Sequence, residues 1–248
     1  MARRNNSSKS PLPSLPSEAP EALAALHPLL RRWVKKSFGR LTQAQELTLP
    51  HILAGRSVLL SSPTGTGKTL AGFLGILDHL VRAHEAGTLG HGTQAVYVSP
   101  LRALTYDIQK NLSAPLAGMG LSDVIRVGLR TGDTSASDRA KLRRKPPHIL
   151  LTTPESLAIL LPQASHAEAL SRCRYVIVDE LHALAENKRG AHLTLSLERL
   201  ENLVPSLTRI GLSATAAPLP LLGKLLVGTE RDCEIAEARI ERRRRVEV

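Results

Sequence analysis

Aromatic side chains are scarce in this sequence of 248 residues, which contains one Trp, three Tyr and two Phe. This scarcity argues against a sheet that binds RNA by stacking bases on aromatic rings. Apolar residues nevertheless make up 42% of the chain. We therefore expect a sizeable core built mainly from Leu, Ala, Val and Ile, in one large or two small domains.

Cysteines and long apolar runs are also few. Cys173 and Cys233 lie far apart, and neither belongs to a CxxC pair or a histidine cluster, so no disulfide framework or zinc site is predicted. The apolar stretch at 70–81 is interrupted by Asp78 and His79, and it falls short of the about 20 apolar residues that span a bilayer. We expect a soluble, cytoplasmic protein with no membrane partner.

Basic residues are in excess. Lys and Arg number 33 against 22 Asp and Glu, which gives a net charge of +11 and a pI near 10.3. Such an excess favours a phosphate-rich partner, although an arginine-rich source proteome would produce it without a functional meaning.

Basic residues also occur at both ends of the chain. Residues 1–20 are basic and rich in Pro and Ser, which predicts a disordered tail. Residues 231–248 include four consecutive arginines at 242–245 and are predicted to be a linker or tail. The domain is therefore expected at 21–230.

Between these ends, short β-rich runs alternate with segments of helical periodicity. Thr42 is the expected N-cap of one helix, with Gln45 as its capping-box partner and Gly55 at its end. Strand runs such as VLL and VIV are continuously apolar, as expected when helices cover both faces of a parallel sheet. This predicts the α/β class, with strands at 57–61, 94–99, 124–129, 148–152, 175–179 and 209–213, and further helices at 21–37, 69–86, 101–116, 135–143, 154–161, 191–203 and 219–227.

The first strand leads into the segment SPTGTGKT at 62–69 and then into a helix, which is the context of a phosphate-binding P-loop. Glycines at two positions allow backbone N–H groups to surround phosphate oxygens, and the helix N-terminus adds its dipole. The Lys supplies positive charge and the final Thr can hold Mg²⁺. Ser62 stands where such loops usually begin with Gly. The predicted nucleotide-binding residues here are Thr64, Gly65, Thr66, Gly67, Lys68 and Thr69.

A second strand, YVIV, ends in Asp179 and Glu180. Acids often end strands, so this pair alone is weak evidence, but a P-loop requires a carboxylate on a neighbouring strand. Asp179 is expected to hold Mg²⁺ through water, and Glu180 to orient or deprotonate the attacking water.

These segments, taken in order, resemble superfamily-two helicases and, more narrowly, the large helicase-related (Lhr) family. The resemblance extends from about 38 to 228 and rests on PTGTGKT, SPLRAL, RTGDT, LLTTPESL, VIVDELHAL and KRGAHL. It implies a RecA-like P-loop NTPase domain, the first of two motor domains of an ATP-driven nucleic-acid translocase that uses ATP and Mg²⁺.

The resemblance also implies roles for individual residues. Gln45 matches the Q motif that contacts adenine, and Phe38 is similar to an aromatic residue that packs on the base; Gln45 could instead be only a helical or capping residue. His182, Ser213, Ala214 and Thr215 resemble the elements that couple the nucleotide site to the second motor domain. The strand before Ser213 should lie between those of the P-loop and Asp179.

Three further segments resemble helicase motifs that hold single-stranded DNA or RNA by its backbone, independently of base sequence. Their hydroxyls could also simply cap helices, which is compatible with phosphate contact. A basic cluster at 139–145 could touch nucleic acid or be a solvated helix face. The predicted nucleic-acid residues are Pro100, Arg102, Arg130, Thr131, Gly132, Thr152, Thr153, Pro154, Glu155 and Ser156.

Two functions follow from the sequence. One is the ATP-binding lobe of a 3′-to-5′ helicase, with the direction implied by the resemblance. Too few residues follow Thr215 for a second RecA-like domain, so that partner is expected in cis or in trans and the chain is expected to be half a motor. The alternative is a standalone module that binds ATP and nucleic acid without turnover. A third possibility, a P-loop kinase, is disfavoured by the SAT and TTPES segments.

Overall fold

The computed structural model describes residues 19–214 and 218–239. Within them seven strands alternate with helices. The strands are β1 (Val58–Ser61), β2 (Ala95–Val98), β3 (Val127–Arg130), β4 (Ile149–Thr152), β5 (Tyr175–Val178), β6 (Thr208–Ser213) and β7 (Glu234–Glu237). The helices are α1 (Ala19–Ala25), α2 (Pro28–Phe38), α3 (Gln43–Leu53), α4 (Lys68–Glu85), α5 (Arg102–Gly118), α6 (Ala136–Arg144), α7 (Pro154–Leu160), α8 (Ala164–Leu170), α9 (Leu181–Ala185), α10 (Lys188–Leu203) and α11 (Leu219–Val227).

The strands form one sheet in the order β3-β4-β2-β5-β6-β1-β7, and every pairing is parallel. Successive residues along β1 enter different cores: Leu60 packs in the core that includes Leu74 of α4, and Leu59 in the core that includes Leu197 of α10. Helices therefore cover both faces, which confirms the predicted α/β class.

Two local predictions were inaccurate. The helix expected at 21–37 is interrupted at His27, the N-cap of α2, because Pro28 suits the first position of a new helix and not the interior of an existing one. The strand expected from Val124 begins at Val127, since Val124 and Ile125 bond back to Leu121 in a turn. The helices α8 and α9 were not predicted.

The C-terminal segment differs most from expectation. Residues 231–248 were predicted to be a linker, yet β7 lies within them and pairs in parallel with β1. Ala236 is buried there, while the charged ends Glu234 and Glu237 suit an edge strand. The arginines at 242–245 and the predicted tail at 1–18 lie outside the described residues.

The parallel arrangement positions the candidate site. In such sheets the carboxyl ends of all strands meet at one edge, where ligands bind. The P-loop follows β1, the Asp179 segment follows β5, and the three candidate nucleic-acid segments follow β2, β3 and β4. Among the described residues, no helix has both the length and the apolar character needed to cross a bilayer.

Candidate nucleotide site and nucleic-acid surface

The loop between β1 and α4 is shaped by two glycines and two hydroxyls. Gly65 and Gly67 both adopt a left-handed φ of 81°. Thr66 Oγ1 donates to the Pro63 carbonyl at 2.8 Å and lies 2.6 Å from Ser62 Oγ. Ser62, which replaces the usual first glycine, therefore helps to close the loop.

This loop ends at an uncapped helix N-terminus. Gly67 precedes α4 and has no side chain to accept from the first N–H groups of that helix. Such groups form an anion site, which the helix dipole strengthens.

Lys68 lies at the base of this loop. Its side chain is 7% exposed, and its Nζ has no hydrogen-bond partner among the described residues. A buried ammonium without a partner is costly. A phosphate group bound by the loop would supply the missing negative charge, so the residues present fit a nucleoside phosphate.

Gln45 packs directly against the P-loop. Its side chain accepts from Thr42 N at 3.0 Å, and the observed capping box confirms Thr42 as the N-cap of α3. Thr42 Oγ1 in turn donates to the Thr66 carbonyl at 2.9 Å. A Cβ on Gly67 would lie 2.9 Å from Gln45 Nε2. Gln45 thus caps a helix and also places its amide beside the loop.

A cavity of about 570 Å³ opens beside the P-loop. The loop and α4 line it with Gly65, Lys68 and Thr69 among others, and α2 and α5 supply further lining residues. Phe38 lies at its edge, 54% exposed, with its ring perpendicular to Trp33 at a centroid distance of 5.4 Å. The predicted residues Phe38, Thr64, Thr69 and Glu180 all line this cavity.

Asp179 follows β5 and is almost fully buried. It accepts hydrogen bonds from Tyr97 Oη at 2.5 Å and from Glu180 N at 2.8 Å. Burial raises the pKa of Asp179, and these two bonds partly oppose that rise. Glu180 has φ of 51° and is the only residue other than glycine with positive φ in the described ranges. Strained backbone of this kind concentrates at functional sites.

One imidazole connects Glu180 to the end of β6. His182 Nε2 lies 3.4 Å from Glu180 Oε2, while its Nδ1 lies 3.2 Å from Ser213 Oγ and accepts from Ala214 N at 3.3 Å. The strand β6 lies between β5 and β1, as predicted. Of the four predicted coupling residues, Thr215 lies outside the described residues.

The three candidate nucleic-acid segments meet at the same edge, but most of their side chains point inward. Thr152 Oγ1 donates to the Arg130 carbonyl at 2.6 Å, Thr153 caps α7, and Arg130 donates to the Thr131 carbonyl. Burial lowers the pKa of Arg130. The buried members of the predicted set are Pro100, Arg130, Thr131, Thr152, Thr153, Pro154 and Ser156.

Three of the predicted residues remain exposed: Arg102, Gly132 and Glu155. Arg102, the first residue of α5, bonds both carboxylate oxygens of Asp133 at 2.8 Å. A Cβ on Gly132 would lie 3.3 Å from Arg102 Nη2, so this loop and α5 are in contact. Of the ten predicted residues, only these three present an exposed surface at this edge.

A sequence profile of the DEAD/DEAH box helicase family matches residues 42–220. This chain belongs to the DEAD/DEAH box helicase family. It is 49% identical over 228 residues to the ATP-dependent helicase Lhr-Core of Methanothermobacter thermautotrophicus, covering 88% of this chain and 26% of that protein. It is 45% identical over 205 residues to the Lhr helicase/uracil glycosylase of Escherichia coli, covering 76% of this chain and 13% of that protein.

A solved structure agrees. The Mycobacterium smegmatis helicase Lhr bound to ssDNA and AMP-PNP matches 88% of this chain with a TM-score of 0.80 and 41% identity. These comparisons confirm the predicted resemblance to Lhr-type helicases and the RecA-like fold. The chain spans 28% of that solved chain and about a quarter or less of the curated relatives.

Three residues of this DEAD/DEAH box helicase domain were missed by the sequence reasoning. Tyr97 lies in the strand predicted at 94–99, and neither Tyr97 nor Asp133 was given a role. Arg189, within the KRGAHL segment, bonds Glu155 Oε1 at 2.7 Å and the Pro100 carbonyl at 2.9 Å, which joins the segments after β2 and β4. The only sequence signal at Arg189 is its place in the KRGAHL segment, which does not indicate that it bonds Glu155 and Pro100.

Proposed function

We propose that this chain is the ATP-binding motor lobe of an ATP-dependent nucleic-acid helicase, in which ATP hydrolysis drives strand movement once a second RecA-like domain completes the site. The observation that carries the proposal is Lys68, a buried ammonium without a partner at the base of an uncapped helix, beside Asp179 and Glu180. The lobe would extend through β7, over about 21–239.

The residues divide the work of phosphoryl transfer. Lys68 and the N–H groups at 65–69 would hold the phosphate chain, while Phe38 and Gln45 would contact adenine. Thr69 and Asp179 would hold Mg²⁺, which when bound supplies positive charge to the phosphate oxygens. Glu180 would orient the attacking water and accept its proton. His182 would relay the state of Glu180 to Ser213 and Ala214.

The proposed nucleic-acid partner is a single strand of DNA or RNA, held by its backbone. The net charge of +11 favours such a partner. The Mycobacterium smegmatis relative was solved with ssDNA. Of the ten residues predicted from the sequence, the exposed Arg102 and Gly132 would touch phosphate. The buried residues would hold their loops, and Glu155 would anchor its segment through Arg189. A cytoplasmic location suits a protein that needs both ATP and nucleic acid.

Calorimetric titration of ATP with Mg²⁺ into the 248-residue chain tests the proposal. Lys68→Ala should weaken binding at least about tenfold, because it removes a charged partner of the phosphates. Lys224→Ala is the matched control, since it removes the same charge from an exposed position on α11. Equal ATP affinity for wild type and Lys68→Ala would refute the proposed site.

The alternative function, a module that binds ATP and nucleic acid without turnover, is favoured by one observation. No arginine lines the nucleotide cavity in the described part of the chain. Phosphate release measured after a second RecA-like lobe is supplied separates the two functions, because only a motor lobe gains turnover.

A further inference from the structure

The wall of the nucleotide cavity that the P-loop does not form carries two polar residues with no assigned role. This wall is formed by α2 and α5, and most of its side chains are apolar, including Trp33, Ile108 and Pro115. Lys110 and Asn111 of α5 are the exceptions. They therefore line the same cavity as Lys68 and Thr69.

The position of α5 is fixed by close packing near its end. A Cβ on Gly118 would lie 2.5 Å from Trp33 Cδ1, so the helix backbone lies directly against that indole. Upstream, Ile108 and Leu112 are buried in the core. Lys110 and Asn111 thus project from a rigid helix and not from a loop, which favours a defined geometry at a binding site.

Neither polar side chain is engaged elsewhere. Lys110 and Asn111 are both exposed, and among the described residues the one side-chain hydrogen bond at either position is from Ser113 Oγ to the Lys110 carbonyl, which leaves both side chains free. By contrast, Thr42 and Gln45 bond each other and Asp179 bonds Tyr97, while Lys68 also has no partner among the described residues. Lys110 offers three donors and a charge, and Asn111 offers two donors and an acceptor.

We propose that Lys110 and Asn111 are nucleotide-contacting residues of this site. Lys110 pairs with the phosphate chain, and the Asn111 amide bonds the ribose hydroxyls, for which the P-loop, Phe38 and Gln45 provide no partner. The inference rests on the proposed function, because it assumes that the cavity binds a nucleoside triphosphate. It adds two nucleotide contacts from α5, at positions that the family motifs do not include.

Titration of the 248-residue chain with two probes, Mg²⁺-ATP and inorganic triphosphate, tests both contacts. Lys110→Ala should lower the affinity for both ligands by about threefold to tenfold, because it removes a charge-assisted contact at a partly solvated position. Lys110→Arg should restore most of that affinity because it keeps the charge. Asn111→Ala should lower the affinity for ATP by a similar factor. It should leave the affinity for inorganic triphosphate unchanged, because that probe has no ribose.

Three controls separate the possible failures. Gln109→Ala changes a neighbour on α5 that does not line this cavity, and Lys224→Ala removes a distant charge; neither should alter affinity. If Lys68→Ala abolishes ATP binding while Lys110→Ala and Asn111→Ala bind ATP as wild type does, the proposed contacts of Lys110 and Asn111 are wrong. The proposed function then stands. If Lys68→Ala also has no effect, both the proposed function and this inference fail.

Discussion

The Tyr97 hydroxyl donates a hydrogen bond of 2.5 Å to Asp179 Oδ2, and the bond connects the neighbouring strands β2 and β5. Burial and the nearby Asp179 charge raise the pKa of Tyr97, so the phenol remains a donor at all ordinary pH values. The same bond opposes the effect of burial on Asp179, whose pKa is raised. Tyr97 therefore helps to keep this carboxylate charged.

Tyr97→Phe removes that bond and should raise the pKa of Asp179 further. On acidification, Asp179 of the variant would become protonated at a higher pH than in wild type and would no longer hold Mg²⁺. The pH at which affinity for Mg²⁺-ATP falls should therefore be higher for the variant. The measurement is ATP affinity between pH 8 and pH 5 in saturating Mg²⁺. Tyr175→Phe serves as the control, because Tyr175 is buried on β5 without contacting Asp179. Superimposable pH profiles for wild type and Tyr97→Phe would contradict this role.

Nucleic-acid binding should depend steeply on salt and little on base sequence. Each phosphate neutralised on a single strand contributes a slope of about −0.7 in log affinity against log salt. Arg102→Ala should weaken binding and reduce the slope. Asp133→Ala should strengthen it, because Asp133 holds both bonds of Arg102 and repels phosphate. Fluorescence anisotropy of labelled single strands at low and high salt measures both effects.

Lys224→Ala removes an exposed charge on α11, outside the predicted nucleic-acid segments, and controls for surface charge; it should leave affinity unchanged. Affinity that is flat between low and high salt would show that phosphates are not the contact. Strong dependence on base sequence would lead to the same conclusion.

The isolated 248-residue chain should hydrolyse ATP slowly, although Asp179 and Glu180 are in place. An arginine that stabilises the transferring phosphoryl group is worth about 10³ to 10⁵ in rate, and none lines the described cavity. A matching second lobe, fused after Val248 or added in trans, should create turnover that single-stranded nucleic acid stimulates. Glu180→Gln should abolish this turnover and preserve ATP binding. Fast, Glu180-dependent phosphate release by the unassisted chain would be incompatible with the proposal.

His148 should make the fold sensitive to acid. Burial, assisted by the charge of Arg126, lowers the pKa of His148 from 6.5 to about 4. Because the unfolded chain binds this proton at higher pH than the folded chain does, the free energy of unfolding falls as the pH drops from about 6.5 to about 4. The expected loss is of the order of 2 kcal/mol. Urea unfolding at pH 7 and pH 4.5 measures it.

His148→Asn is the matched variant, since its amide oxygen can replace Nδ1 as the acceptor for Arg126 N. Burial also lowers the pKa values of His51, His79 and His166, so these residues contribute to the same loss of stability at low pH. The variant should therefore lose only part of the pH dependence. If it loses as much stability on acidification as wild type does, His148 is not responsible.

The sequence predicted those features that short segments encode. The P-loop and the Asp179-Glu180 pair have fixed covalent spacing and follow apolar strands, so their place at one edge of a parallel sheet could be expected. The capping box of Thr42 and Gln45 is equally local. In each case the information lies within a few residues.

Contacts between distant segments could not be predicted in this way. Tyr97 looks like any core residue of a strand, and its hydroxyl gains a role only because β2 lies beside β5. Arg189 meets Glu155 and Pro100 only once the sheet is assembled. The strand β7 was missed because its four residues, EIAE, lack an apolar run, and its partner β1 lies at the other end of the sequence.

The pairing of β7 with β1 also has a mechanical meaning. The two strands run in the same direction in register, from Val58 opposite Glu234 to Ser61 opposite Glu237, with flanking bonds from Glu234 N to Ser57 and from Ala238 N to Ser61. Tension applied to the chain at Arg239 would load these bonds together in shear and not unzip them one by one. Since Ser61 directly precedes the P-loop, a pull on the segment after β7 would be transmitted to the strand that carries the phosphate-binding loop.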